Sequence, residues 1–109
     1  MPQATFVHEG QMIDYRPATD VAAGEVVVQG DLIGVTKSPI AANTLGALII
    51  RGVFDFAKAT GTALAVGTIV YWDDTNKVAT ATATGNKLLG KVVRAAAASD
   101  TTVRVRLQP

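Results

Sequence analysis

Apolar and β-branched residues in this chain come in short runs. A glycine, a proline or an Asp/Asn cluster cuts each run before a helix could complete the turns it needs to be stable. Ten glycines are spread over 109 residues, and Val, Thr and Ile fill the intervals. Such residues suit a pleated, half-buried surface better than a helix. The runs predict strands over Met12–Tyr15, Glu25–Gln29, Leu32–Thr36, Ala47–Phe56, Thr68–Trp72, Lys77–Thr82, Leu88–Ala95 and Thr102–Leu107. Short strands at close spacing predict an all-β domain, a compact small β-barrel or sandwich of about seven to eight short strands.

Alternation assigns faces to two of these strands. In Thr102–Leu107, Val103, Val105 and Leu107 point one way and Thr102, Arg104 and Arg106 the other. In Ala47–Phe56, Ile50, Phe54 and Phe56 share a face opposite Arg51 and Asp55. The segment Val78–Thr84 is small and neutral on both faces. Its register is weakly specified, which predicts an edge strand or a flexible loop at its distal end. Asp73-Asp74-Thr75-Asn76, Gln29-Gly30-Asp31 and Thr84-Gly85-Asn86 have the residues of tight turns. Ala23-Gly24-Glu25-Val26-Val27-Val28 and Val66-Gly67-Thr68-Ile69-Val70-Tyr71 share a pattern in which a glycine turn launches a β-branched strand. Two copies do not make a solenoid. Ala95–Ala98 is too short to nucleate a helix and reads as the end of a strand entering a loop.

Length allows a single core, divided into an N-terminal arm, residues 1–10, and one β domain, residues 11–109. The arm has no basic segment followed by an apolar one, so it does not read as a signal peptide. The longest near-apolar run, Ala63 to Trp72, is half of what a membrane helix needs. A soluble protein is therefore expected, with no membrane partner. Charged residues make up 17% and aromatic residues 6%. A domain this small and this poor in charge covers its surface with Ala, Thr, Gly and Val. We expect part of that surface to be buried against other subunits.

No catalytic constellation is present in the sequence. A phosphate-binding loop needs G-x-x-x-x-G-K-[ST] between a strand and a helix. In Gly30–Ser38 the glycines stand one residue too close, two residues separate Gly34 from Lys37, and Pro39 stops any helix. His8 is the single histidine, with Glu9 beside it but no serine motif and no cysteine to activate. Asp73–Asn76 offers oxygen ligands without the spacing or terminal glutamate of a calcium loop, and reads as a hairpin turn. Trp72 reads as a core or hairpin anchor. The expectation is a protein that is not an enzyme and uses no cofactor or metal. The net charge of +1 is built from scattered basic residues, so nucleic acid is an unfavoured partner.

An ordered set of motifs carries a resemblance. Phe6-Val7-His8-Glu9-Gly10 comes first, then Gly52-Val53-Phe54-Asp55-Phe56-Ala57-Lys58. Ala65-Val66-Gly67 leads into Val70-Tyr71-Trp72-Asp73, followed by Thr82-Ala83-Thr84-Gly85-Asn86. Leu89-Gly90-Lys91-Val92 and Val103-Arg104-Val105-Arg106-Leu107 close the chain. In this order they resemble the phage capsid cement (decoration) proteins, a family historically labelled a predicted RecA/RadA-like phage recombinase. Thr36 to Leu45 matches least. The resemblance implies a β-rich structural virion protein made in the host bacterial cytoplasm and located on the capsid exterior. It would bind the major capsid protein and stabilise contacts between neighbouring capsid subunits, as a homotrimer. Phe6, Val7, His8, Glu9, Arg104 and Arg106 are the candidate capsid or oligomer-interface residues. The arm could add a strand to an exposed capsid edge, or remain a frayed terminus or an intramolecular edge strand.

The competing reading is a small β-barrel nucleic-acid-binding accessory protein in phage DNA metabolism. It would need a basic, aromatic-studded groove. Lys87, Lys91, Arg94, Arg104 and Arg106 gather late in the chain, but no aromatic residue lies among them.

Overall fold

The computed structural model describes residues 3–5 and 10–107. These residues form nine strands and no helix: β1 Met12–Tyr15, β2 Val26–Gln29, β3 Leu32–Thr36, β4 Gly46–Ile49, β5 Val53–Ala57, β6 Ile69–Asp73, β7 Val78–Thr80, β8 Lys87–Arg94 and β9 Thr102–Leu107. They build two antiparallel sheets, one ordered β1-β4-β3-β2 and the other β5-β9-β8-β6-β7. The second sheet curls until Lys58, just past β5, makes a single parallel bridge to Ala79 of β7. No ladder extends that bridge, so the architecture is sandwich-like and not a closed barrel.

One predicted strand divides in two. The run Ala47–Phe56 is interrupted at Ile50-Arg51-Gly52, where Gly52 has φ +126, a backbone conformation that L side chains rarely adopt. The chain changes sheets there: β4 belongs to the first and β5 to the second. Ile50 and Arg51 therefore lie outside the strand that carries Phe54, Asp55 and Phe56. The weakly specified segment after Lys77 becomes β7, three residues long and at a sheet edge. The turn at residues 73–76 forms as its composition predicts: Asp73 Oδ1 accepts from the backbone N–H groups of Thr75 and Asn76, both at 3.1 Å.

The shared glycine turns mark a repeat that extends well beyond them. Gly24 (φ +77) donates to the Thr36 carbonyl, and Thr36 donates to that of Glu25. Gly67 (φ +88) donates to Val92, and Val92 to Thr68, in the same pattern. Three residues before each glycine an isolated bridge pins the incoming chain, Val21 to Ile40 and Leu64 to Ala96. Each half runs one strand, a long connection, then three strands joined in sequence, with the first strand pairing beside the last: a Greek key. The hairpin strand β7 is an addition to the second copy. Gly34 and Gly90 occupy equivalent places, each with a core side chain of the neighbouring strand, Leu48 and Val105 respectively, beside the space a Cβ would fill.

The principal core gathers Phe56, Val70, Trp72, Leu89, Val92, Val103, Val105 and Leu107 from the second sheet with Ile33 and Val35 from the first. Each such side chain contributes roughly 1.5–3 kcal/mol of burial. Leu89 reaches this core through a bulge. The β6–β8 register shifts between Val70 and Tyr71, which leaves Leu89 as the unpaired extra residue and turns Leu88 outward. Trp72 packs tilted against Phe56, centroids 6.0 Å apart, and its Nε1–H donates to Asp74 Oδ1 at 3.1 Å. Thr36 to Leu45, where the motif resemblance is weakest, is tied down: Ile40 bridges Val21, Ala42 N–H donates to Asp20 Oδ1 and Arg16 donates to the Asn43 carbonyl.

Candidate docking face on the five-stranded sheet

Residues opposite one another on antiparallel strands share a face, so register alone assembles the site. Val53, Arg106, Lys91 and Ile69 form one row across β5, β9, β8 and β6. Asp55, Arg104 and Arg94 form the next. Leu88 and Tyr71 stand opposite each other beyond the first row. The opposite face of the same strands carries Val103, Val105 and Leu107 into the core, so this one is left to solvent. A second bulge in β8, between Val92 and Arg94, keeps Arg94 on the solvent side beside Arg104.

The electrostatics of the face are lopsided. Lys91 lies directly opposite Arg106, and Arg94 opposite Arg104. Strands are spaced about 4.8 Å apart and alternate residues along a strand about 6.8 Å, so four cations occupy a two-by-two block. Like charges directly opposite each other destabilise a sheet. Of the carboxylates on these strands, Asp55 is the one paired with them. Arg104 Nε and Nη2 donate to the two oxygens of Asp55 at 2.9 and 3.2 Å. The Arg104 hydrogen bond holds the Asp55 carboxyl below its ordinary value, opposed by desolvation and aided by the charges of Arg104 and Arg94. Reciprocally, Asp55 raises the pKa of Arg104. Among the described residues no salt bridge engages Lys91, Arg94 or Arg106.

Aliphatic side chains frame the block. Val53 is 54% exposed, Ile69 46% and Leu88 45%. The face therefore combines cations without partners and exposed aliphatic surface, while Tyr71 is half-buried. A shallow polar depression of about 300 Å³ lies at its end, lined by Asp55, Arg94, Asp100 and Arg104 among others.

The structure thus brings Arg104 and Arg106 together on one face, as their alternation predicts. Phe6, Val7, His8 and Glu9 lie outside the described residues. Lys91, Arg94, Val53, Ile69 and Leu88 join the face through register and two bulges that no local pattern announces. Lys87 does not join it. It points toward the other sheet, its Nζ 2.8 Å from Asp31 Oδ1 in the β2–β3 turn. Among the described residues no cluster of His, Cys, Asp and Glu has the makings of a metal site, and no helix is long and apolar enough to cross a membrane.

A family model described as phage cement protein matches residues 7–107. The match takes in the whole face and, of the N-terminal candidates, Val7, His8 and Glu9 but not Phe6. No curated protein and no solved structure matches the chain.

Proposed function

The chain belongs to the phage cement protein family, and on that premise we propose that it is a decoration protein of the capsid exterior that binds the major capsid protein and clamps neighbouring subunits. The observation that carries this reading is the family match, which spans 7–107. The physical character of the molecule supports it. The domain is a slab of 49 × 34 × 23 Å with broad sheet faces and large exposed aliphatic side chains, suited to burial against other subunits.

The mechanism is mass action. A protein that binds only the assembled shell raises the free energy needed to take that shell apart. Repetition over a lattice turns modest affinity at each site into large avidity. On this reading the copies act as homotrimers, and the segment Phe6-Val7-His8-Glu9 reaches from each copy to a capsid edge, where backbone pairing adds affinity. Arg104 and Arg106 belong to the contact surface.

The test is co-sedimentation of the purified protein with mature phage heads that lack it, and with immature proheads. Saturable binding to mature heads with a raised melting temperature of the particle supports the cement role and gives its stoichiometry. Absence of binding to either particle overturns it.

A further inference from the structure

We propose that the outer face of β8 and β9, centred on Lys91 and Arg106, is the docking surface and that its partner is an acidic protein surface with an aliphatic border; this rests on the cement reading above. Two independent observations converge on it. The first is electrostatic. Arg106–Lys91 and Arg104–Arg94 are like-charge pairs placed directly opposite each other, an arrangement that costs the free protein stability. A partner supplying carboxylates removes that cost and gains charge-assisted hydrogen bonds. The charge is also segregated along the chain. Residues 1–52 hold three Lys and Arg against five Asp and Glu, while residues 53–109 hold seven against four.

The second observation is the repeat. In the first Greek key the row Met12, Ile49, Val35, Val26 occupies the position of Val53, Arg106, Lys91, Ile69 in the second. The outer members of both rows are apolar, and the central pair changes from Ile49 and Val35 to Arg106 and Lys91. In the first copy the Val35–Val26 half of this row packs against protein, Val35 within the principal core and Val26 against it, while Met12 at the other end is exposed. The second copy presents the equivalent row outward, with a cationic centre inside the same aliphatic edges. A row built to pack has thus been recast to pack against a charged partner.

A nucleic acid is the weaker occupant. Its phosphates would engage the cations and leave Val53, Ile69 and Leu88 unburied. Binding of a single strand also relies on exposed aromatic platforms, and the one aromatic here, Tyr71, is half-buried.

The experiment compares wild type, the double reversal Lys91→Glu/Arg106→Glu, the neutral double variant Lys91→Gln/Arg106→Gln and a control, Lys37→Glu/Arg51→Glu, whose exposed cations lie in the first half. Each is titrated onto mature heads lacking the protein at low and high NaCl, and each free protein is melted. We expect wild type and control to bind alike, with affinity falling as salt rises. The neutral variant should bind at least about tenfold more weakly and the reversal more weakly still. The melting temperature of the free neutral variant should equal or exceed that of wild type, because a repulsion has been removed. Wild-type binding that survives both substitutions unchanged overturns this face while leaving the cement role standing. Failure of wild type to bind any head overturns the cement reading itself. Salt-sensitive binding of a single-stranded oligonucleotide by wild type, lost in the reversal variant, reassigns the face to nucleic acid and overturns the proposal.

Discussion

Among the ten glycines, Gly90 is the one where substitution by alanine brings the closest clash. Gly90 lies in β8 opposite Leu107, beside the Lys91–Arg106 pair. A Cβ built there would sit 1.9 Å from the Arg106 carbonyl oxygen, 2.9 Å from its carbonyl carbon and 3.1 Å from Val105 Cγ1. The nearest obstacle is backbone, which cannot rotate away. Restoring a tolerable contact needs the strands to part by roughly 1.3 Å, enough to carry ladder hydrogen bonds out of range. Two such bonds contribute about 1 kcal/mol each, and forced separation of packed strands adds about 1–3 kcal/mol. The neighbours that would be separated, Leu89, Val105 and Leu107, are at most 1% exposed. A total of about 3–5 kcal/mol is a large part of the 5–15 kcal/mol that holds a domain together. It corresponds to a melting temperature lower by some 15–25 °C. Thermal melting followed by Trp72 fluorescence, together with urea titration, measures it. Gly10→Ala is the control, since a Cβ at Gly10 meets nothing within 4 Å, and it should stay within about 0.5 kcal/mol of wild type. A Gly90→Ala protein melting within about 3 °C of wild type would refute the steric argument.

Lys58 is 5% exposed, and its Nζ donates to the carbonyls of Ala59, Ala98 and Asp100 at 2.9, 3.4 and 3.2 Å. Lys58→Met keeps the stem and orphans these acceptors, so urea denaturation should show a loss of about 2–4 kcal/mol; a midpoint unchanged from wild type would contradict the role given to the ammonium. Asp31, Asp55, Asp73 and Asp74 all have depressed carboxyl pKa values, caused first by hydrogen bonds from Lys87, Arg104, Asn76 and Lys77 respectively. A depressed folded-state pKa gives stability that is present above the unfolded value and lost as pH falls through the folded one. The melting temperature should therefore hold from neutrality to about pH 5 and fall below about pH 4, and Asp55→Asn should soften that fall. Removing residues 2–10 leaves Gln11, whose carbonyl accepts from Ile50, and all of β1. The shortened protein should melt like wild type and lose binding to mature heads; undiminished binding would take the arm out of the mechanism.

Much of the fold is legible in the sequence because strands and turns are local. The alternation Thr102–Leu107 places Val103, Val105 and Leu107 inside and Arg104 and Arg106 outside, as found. Asp73 and Asn76 close their hairpin through side-chain bonds that their identities alone suggest. The division of Ala47–Phe56 is not legible, since apolar residues continue on both sides of Gly52 and only its φ of +126 shows that the chain leaves one sheet for the other. The docking face is legible at its centre and invisible at its border. Arg104 and Arg106 sit two residues apart, whereas Val53 and Ile69 arrive from distant strands through register. Two bulges in β8 displace Leu88 and Arg94 from the alternation a regular strand would give. The repeat is hidden for the same reason. Its glycine turns share a pattern, but the rows that correspond, Met12-Ile49-Val35-Val26 and Val53-Arg106-Lys91-Ile69, have unlike centres.

That unlikeness also explains how one small domain can be both stable and adhesive. Two Greek keys with apolar faces on all sides would satisfy each other and then go on burying whatever surface remained, in aggregates of their own kind. The first copy uses Val35 and Ile33 to join the principal core, while Leu48, Ile40 and Val21 are buried outside that cluster and Ile40 lies against Gly46. The second copy fills its inner face with Phe56, Val92, Val103 and Val105. The outer face of the second copy is left open, with Val53, Ile69 and Leu88 exposed. The three cations there without a salt bridge among the described residues, Lys91, Arg94 and Arg106, repel an identical face on another molecule, while Val53, Ile69 and Leu88 still reward a partner that brings carboxylates. The charge thus selects the partner and the aliphatic border supplies contact area. Arg106→Leu with Lys91→Leu separates the two roles. It restores the apolar row of the first copy, and the isolated protein should gain stability and associate beyond the wild-type oligomeric state in sedimentation velocity. A double-leucine variant that kept the wild-type oligomeric state at high concentration would show that the cations serve docking alone.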